Sequence, residues 1–168
     1  MKTIEFKTFD TSEDNIRTSS AFNYLNSNTE NKSYNDLDQY VMIENLCTNT
    51  DFETKGLLIK DIKTKLSSYS QQDKLKQHYD KDVFIKLDEV IRLLYDASMS
   101  CYYCSQKIKV IYEYKRTPEQ WTLDRIDNDL GHTKENVVIC CLSCNLRRRC
   151  LNSDKYLFTK TLKINKIK

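Results

Sequence analysis

Apolar residues recur at helical spacing in three places along the first hundred positions. Leu37, Tyr40, Val41 and Ile43 allow a short helix within residues 34–46. Leu58, Ile62 and Leu66 repeat every four residues and predict a second helix beginning near Leu57. The strongest stripe, Phe84, Leu87, Val90, Ile91, Leu94 and Tyr95, predicts a helix over residues 82–97, with Asp82 as its N-cap. Stripes of this kind pack cores, and no chemistry is assigned to them. Residues 1–33, rich in Ser, Thr, Asn and acids, show little periodicity and read as loop or disorder.

The pattern changes at Cys101. Residues 107–114 (KIKVIYEY) and 121–126 (WTLDRI) read as β segments on either side of a turn at Pro118. Residues 127–135 are polar, contain Gly131 and read as a loop. Residues 136–141 (NVVICC) are β-branched and strand-like, and 143–151 read as a helix. The expected class is α+β, divided into an acidic, partly disordered region (1–55), a helical region (56–100), a compact module (101–151) and a basic tail (152–168).

Composition narrows the function classes. The chain has 168 residues with only 2 glycines and 1 proline, which excludes collagen-like, Gly/Ser-linker and Pro-rich architectures. No stretch approaches the roughly 18 apolar residues of a membrane span. The first residues lack the apolar segment of a secretory signal. A soluble, intracellular protein with no membrane partner is therefore expected. The net charge of +3 conceals an asymmetry, with five Lys/Arg against ten Asp/Glu in residues 1–55 and eight against one in 147–168. A basic end of this kind suits a polyanion and equally suits a solubilising tail.

Seven cysteines, an odd number, argue against a disulfide framework. Four of them form two CxxC pairs, Cys101/Cys104 and Cys141/Cys144. A CxxC turn sets two thiolates on one side of a tight loop, and two such turns complete the tetrahedral sulfur cage that suits Zn²⁺. The 36 residues between the pairs require a subdomain to loop out. Cys47, Cys140 and Cys150 remain as ordinary thiols, Cys140 facing away from Cys141 by strand alternation.

Between the pairs stand Leu123-Asp124-Arg125-Ile126-Asp127-Asn128, Gly131-His132 and Asn136-Val137-Val138, with Asn145 just after the last cysteine. This order resembles the HNH endonuclease family, whose ββα-metal fold runs strand, loop, strand and helix and is often braced by a CxxC–CxxC zinc. The resemblance covers about residues 101–149 and implies metal-dependent hydrolysis of DNA phosphodiester bonds, leaving 5′-phosphate and 3′-hydroxyl ends. It places Asp124 on the carboxylate that binds a catalytic divalent ion, Asn136 on the Asn that pins the loop, and Asn145 on the helix-borne ligand. A hard ion such as Mg²⁺ prefers these oxygen donors and keeps sites free for water and phosphate.

Arg125 departs from that family, whose general base is a His at this position. A guanidinium cannot accept a proton at useful pH. Its planar fork suits phosphate, so Arg125 is expected to grip the DNA backbone, with His132 as base and Asp127 as the runner-up. Equally, the Asp124–Asn128 run can be a polar turn and His132 a loop histidine. Arg147, Arg148 and Arg149 follow Asn145 on the same predicted helix and can contact backbone phosphates, while Tyr156 and Phe158 among the lysines can pack or stack. The alternative from another class is a non-catalytic zinc-knuckle module for DNA binding or assembly, and a third is a zinc-stabilised protein-interaction domain.

Overall fold

A computed structural model describes residues 19–28 and 36–162. Among the described residues, six α-helices and one two-stranded sheet follow in the order α1 (Ser20–Asn28), α2 (Asp36–Cys47), α3 (Lys55–Leu75), α4 (Leu87–Asp96), β1 (Trp121–Arg125), β2 (Val137–Cys141), α5 (Leu142–Arg148) and α6 (Ser153–Thr161), with a 3-10 turn at Lys134–Asn136 leading into β2. The class is α+β, as the pattern predicts. No helix among the described residues is long and apolar enough to cross a membrane.

The apolar stripe of α3 is longer than the sequence suggested, with Leu58, Ile62, Leu66, Tyr69 and Asp73 all buried along one face. That face carries a second, polar ladder at the same four-residue spacing. Asp61 accepts the Ser20 and Ala21 amides that open α1, both at 3.1 Å. The Lys65 ammonium donates to the Trp121 carbonyl, the Tyr69 hydroxyl accepts the Leu123 amide at 3.0 Å, and Asp73 accepts the His132 amide at 2.7 Å. Residues four apart stack on one helix face, so a single helix binds α1, β1 and the following loop in sequence.

The sheet explains why β1 needs such neighbours. β1 and β2 pair antiparallel, Trp121 opposite Cys141 and Arg125 opposite Val137. Flanking bonds from Ile126 N to Asn136 O and from Leu142 N to Gln120 O continue the ladder through the even-numbered residues of β1. The backbones of Trp121 and Leu123 therefore face away from β2, an open edge whose groups need partners. Lys65 and Tyr69 of α3 supply them from one direction, and Asn145 of α5 donates to the Leu123 carbonyl at 3.2 Å. Every residue of β1 is buried. One apolar core runs from Ala21 on α1 to Tyr156 on α6, so the helical region and the cysteine-bearing module share it.

Several sequence expectations are corrected. Part of 1–33 is helical, because Ala21 and Leu25 are buried and Asp61, forty residues away, caps the helix start; residues 1–18 and 29–33 lie outside the described residues. Residues 107–114 form no strand. Lys109 alone of the segment pairs beside β1, bridging Gln120 and accepting the Trp121 amide at 3.0 Å, while the Val110 and Ile111 amides donate to the Gln39 side chain at 2.9 and 3.0 Å, so past Lys109 the buried segment turns to α2. The helix predicted over 82–97 starts at Leu87, since Ile85 donates to the His132 carbonyl and Glu89 accepts the Lys86 amide. The predicted helix 143–151 ends at Arg148, where Arg149 enters the left-handed region with φ 53. The basic tail contains α6, capped by Asn152, with Tyr156 buried edge-on against Tyr103 and Phe158 exposed.

Candidate functional site

The two CxxC pairs meet. The Tyr102 amide donates to the Ile139 carbonyl at 2.9 Å, docking the first knuckle on β2, while the second knuckle is the junction of β2 and α5. Cys141 is the N-cap of α5, its Sγ accepting the Cys144 amide at 3.4 Å. The sulfurs of Cys101, Cys104, Cys141 and Cys144 lie within 4.8 Å of one another. A Zn–S distance near 2.3 Å in a tetrahedron requires sulfurs about 3.8 Å apart, and Cys104 and Cys141 stand at 3.9 Å. These four cysteines can hold one zinc ion. Hydrogen bonding with Cys141 pulls the Cys101 thiol below the ordinary thiol range, so the cluster favours a thiolate even as it stands. Cys140 points the other way, buried beside the Thr122 hydroxyl, and burial pushes its thiol up.

Asp124 lies near the end of β1 and is 6 % exposed. Its Oδ2 accepts the Tyr103 hydroxyl at 2.8 Å and its Oδ1 accepts Arg148 Nη1 at 2.8 Å. Tyr103 stands inside the first CxxC and also meets Ser153 at the start of α6, at 3.1 Å. The first CxxC turn and the C-terminal helix thus both orient this carboxylate. Burial raises the Asp124 pKa, opposed by the Tyr103 hydrogen bond and the Arg148 charge. Asn145 donates its Nδ2 to Thr122 Oγ1 at 3.1 Å and to the Leu123 carbonyl, and its Oδ1 accepts no hydrogen bond among the described residues. One turn of helix therefore delivers an amide to the backbone next to Asp124.

Asn136 bridges the loop that joins the two strands. Its Oδ1 accepts the Asp127 amide at 2.9 Å, and its Nδ2 donates to the carbonyls of Asp127 at 2.9 Å and Gly131 at 3.0 Å. One side chain thus ties both ends of the segment between Asp127 and Gly131.

Arg125 and His132, read as phosphate grip and base, both lie in the interior. Arg125 turns inward, 8 % exposed, donating to the Leu130 carbonyl at 3.0 Å and sharing a 3.3 Å contact with His78 Nδ1. Asp73 lies 3.8 Å from its guanidinium. His132 is 3 % exposed, its Nδ1 2.7 Å from Asp73 Oδ1 and its ring tilted against Tyr69. Burial lowers its pKa and outweighs the opposing pull of Asp73, keeping the ring neutral near pH 7. Asp127, by contrast, is exposed. Of the three arginines of α5 and its cap, Arg147 and Arg149 are exposed, whereas Arg148 is buried at 1 % and serves Asp124.

Asp73, Tyr103 and Ser153 were not among the residues singled out in the sequence. Asp73 did leave a trace, since it continues the spacing Leu58, Ile62, Leu66, Tyr69 and puts a carboxylate on an apolar face. Tyr103 is flagged only by its place between two ligand cysteines.

Compared with known protein families, curated proteins and solved structures, the chain matches none.

Proposed function

We propose that residues 101–149 act as a zinc-braced ββα-metal module of HNH type that hydrolyses DNA phosphodiester bonds with a divalent ion. The observation that carries this reading is that Asn145 is held on the Leu123 carbonyl, the residue next to Asp124 in β1, beside four cysteines able to hold zinc. Asp124 and Asn145 would hold Mg²⁺, whose bound form polarises the scissile phosphate and eases departure of the 3′-oxygen. The fit rests on donor chemistry: a carboxylate, an amide oxygen without a hydrogen-bond partner, and nearby carbonyls are hard oxygen ligands.

The chain's own residues then divide the remaining work. Tyr103 fixes the rotation of the Asp124 carboxylate, and Asn136 fixes the loop beside it. Arg147 and Arg149 bind the DNA backbone without reading sequence. With His132 interior and Asp127 exposed, the task of activating water falls to Asp127. The test is nicking of supercoiled plasmid with Mg²⁺ or Mn²⁺ by the wild type, Asp124→Ala, Asp127→Asn and His132→Gln. Metal-dependent nicking abolished by Asp124→Ala supports the reading; nicking equally fast in Asp124→Ala ends it.

One observation favours a second reading. Both oxygens of Asp124 are already engaged, and Arg125 stands where the HNH family has its basic His. A non-catalytic, zinc-braced DNA-binding module would look the same, and it would bind DNA equally well as Asp124→Asn while nicking none.

A further inference from the structure

Arg148 is the most unusual cation of the molecule. It is 1 % exposed, comes from the last turn of α5, and reaches back beneath the β1–β2 loop. Three oxygens receive it: Asp124 Oδ1 at 2.8 Å and Asn128 Oδ1 at 3.4 Å from Nη1, and the Ile126 carbonyl at 2.8 Å from Nη2. A carboxylate, a side-chain amide oxygen and a backbone carbonyl are the ligand types of a hard-cation site. The guanidinium fits them imperfectly. Its Nε is buried and finds no hydrogen-bond partner, and the Asn128 bond is long. A buried donor left unpaired is destabilising, so the contact holds a reserve that a better-matched cation can recover.

We propose that Asp124 Oδ1, the Ile126 carbonyl and Asn128 Oδ1 form one cation seat, that Arg148 is its resident occupant, and that a divalent ion enters only by displacing Arg148. The inference rests on the reading of Asp124 as a divalent-ion ligand and extends it to Ile126, Asn128 and Arg148. Charge balance supports the exchange. The seat carries one formal negative charge, which Arg148 neutralises, and among the described residues no other cationic group donates to these three oxygens. Once released, Arg148 joins the exposed Arg147 and Arg149 as a third cation on the same helix end. Any phosphate that receives it favours the displaced state, so metal and DNA binding strengthen one another reciprocally.

The experiment is Mn²⁺ binding to the zinc-loaded full chain, followed by electron paramagnetic resonance. If Arg148 holds the seat in nine molecules of ten or more, removing it tightens apparent Mn²⁺ affinity by about tenfold or more. Arg148→Met is expected to show that gain, and adding Asp124→Asn to it is expected to abolish the gain. A folded Arg148→Met chain binding Mn²⁺ no more tightly than wild type overturns the proposal. Should Arg148→Met lose zinc or its cooperative melt, Arg148→Gln decides, because a neutral amide leaves the seat without a cation; affinity equal to wild type then overturns it. Plasmid nicking separates the two claims. Nicking by the wild type with unchanged Mn²⁺ affinity in the variants sinks the seat alone, whereas tightened Mn²⁺ binding without nicking by any form sinks the nuclease reading alone.

Discussion

Replacing Asp73 by Asn tests whether α3 truly holds the loop between the strands. Asp73 is fully buried and accepts two 2.7 Å hydrogen bonds from His132, one from the amide and one at Nδ1, with Arg125 3.8 Å away. Asparagine keeps the shape but offers one acceptor, so at least one charge-assisted bond, about 1.5–3 kcal/mol, is lost. Its amide then sets a donor against a donor, or leaves Arg125 without a counter-charge, at about 1–3 kcal/mol more. The total, about 2.5–6 kcal/mol, brackets the usual cost of about 3–5 kcal/mol for breaking a buried charge pair, and that cost is a large share of a typical stability of about 5–15 kcal/mol. Urea unfolding reads it directly, because the chain has one tryptophan, Trp121, buried in β1 and bonded to α3. With a slope near 2 kcal/mol per molar, the midpoint is expected to fall by about 1.5–2.5 M. A double-mutant cycle with His132→Ala is expected to give a coupling of at least about 1 kcal/mol. A midpoint shift under about 0.5 M at unchanged slope, or full additivity, refutes the reasoning.

Four further outcomes follow from the same geometry. Elemental analysis is expected to find one zinc per chain, and Cys104→Ser or a strong chelator to remove it with a large fall in Tm; an unchanged Tm after chelation contradicts the cage. Because burial holds the His132 pKa below its ordinary 6.5, the unfolded chain takes up a proton that the folded chain refuses as pH falls below that value. Stability therefore drops on acidification, with a slope of at most about 1.4 kcal/mol per pH unit, and His132→Gln is expected to flatten that slope in urea melts at pH 7.5 and 6.0. Gly131→Ala puts a Cβ 2.4 Å from the His78 carbonyl and 3.2 Å from Asp73 Oδ2, and is expected to cost about 1–3 kcal/mol by the same melts; a neutral result means the loop moves freely. Arg147→Ala/Arg149→Ala is expected to lower the salt slope of DNA affinity by about 2, and an unchanged slope removes them from the interface.

What could be read from the sequence was whatever depends on local spacing. The α3 and α4 stripes, the β1 and β2 segments and the joining of the two CxxC pairs all repeat at intervals of two, three or four residues, and each appears within a few positions of its expected place. What could not be read depends on partners far apart in the chain. The start of α1 is capped by Asp61, the 107–114 segment is held by Gln39 instead of a strand, and Asp73 receives His132 from 59 residues away. The arginines show the limit most plainly. Arg147, Arg148 and Arg149 are alike in sequence, yet the helix turn sends the middle one inward to Asp124 and leaves its neighbours exposed. Arg125 and His132, read from the motif as phosphate grip and base, are drawn inside because α3 carries a buried carboxylate, Asp73, that lies beside both.

This last point redraws the boundary of the working unit. The HNH resemblance spans about residues 101–149, but several of the groups that orient its residues lie outside that span. Lys65 and Tyr69 close the open edge of β1, Asp73 holds the loop, and Ser153 of α6 supports the Tyr103 hydroxyl that positions Asp124. Cut free, the span would expose the edge of β1 and leave Arg125 without a carboxylate partner, and each buried polar group so orphaned carries a cost of kilocalories. Zinc could hold the knuckles together, yet four sulfurs constrain only the strand–helix junction and the first CxxC turn. The helical region is therefore best understood as the other half of the site, with α3 setting where the β1–β2 loop lies relative to Asp124.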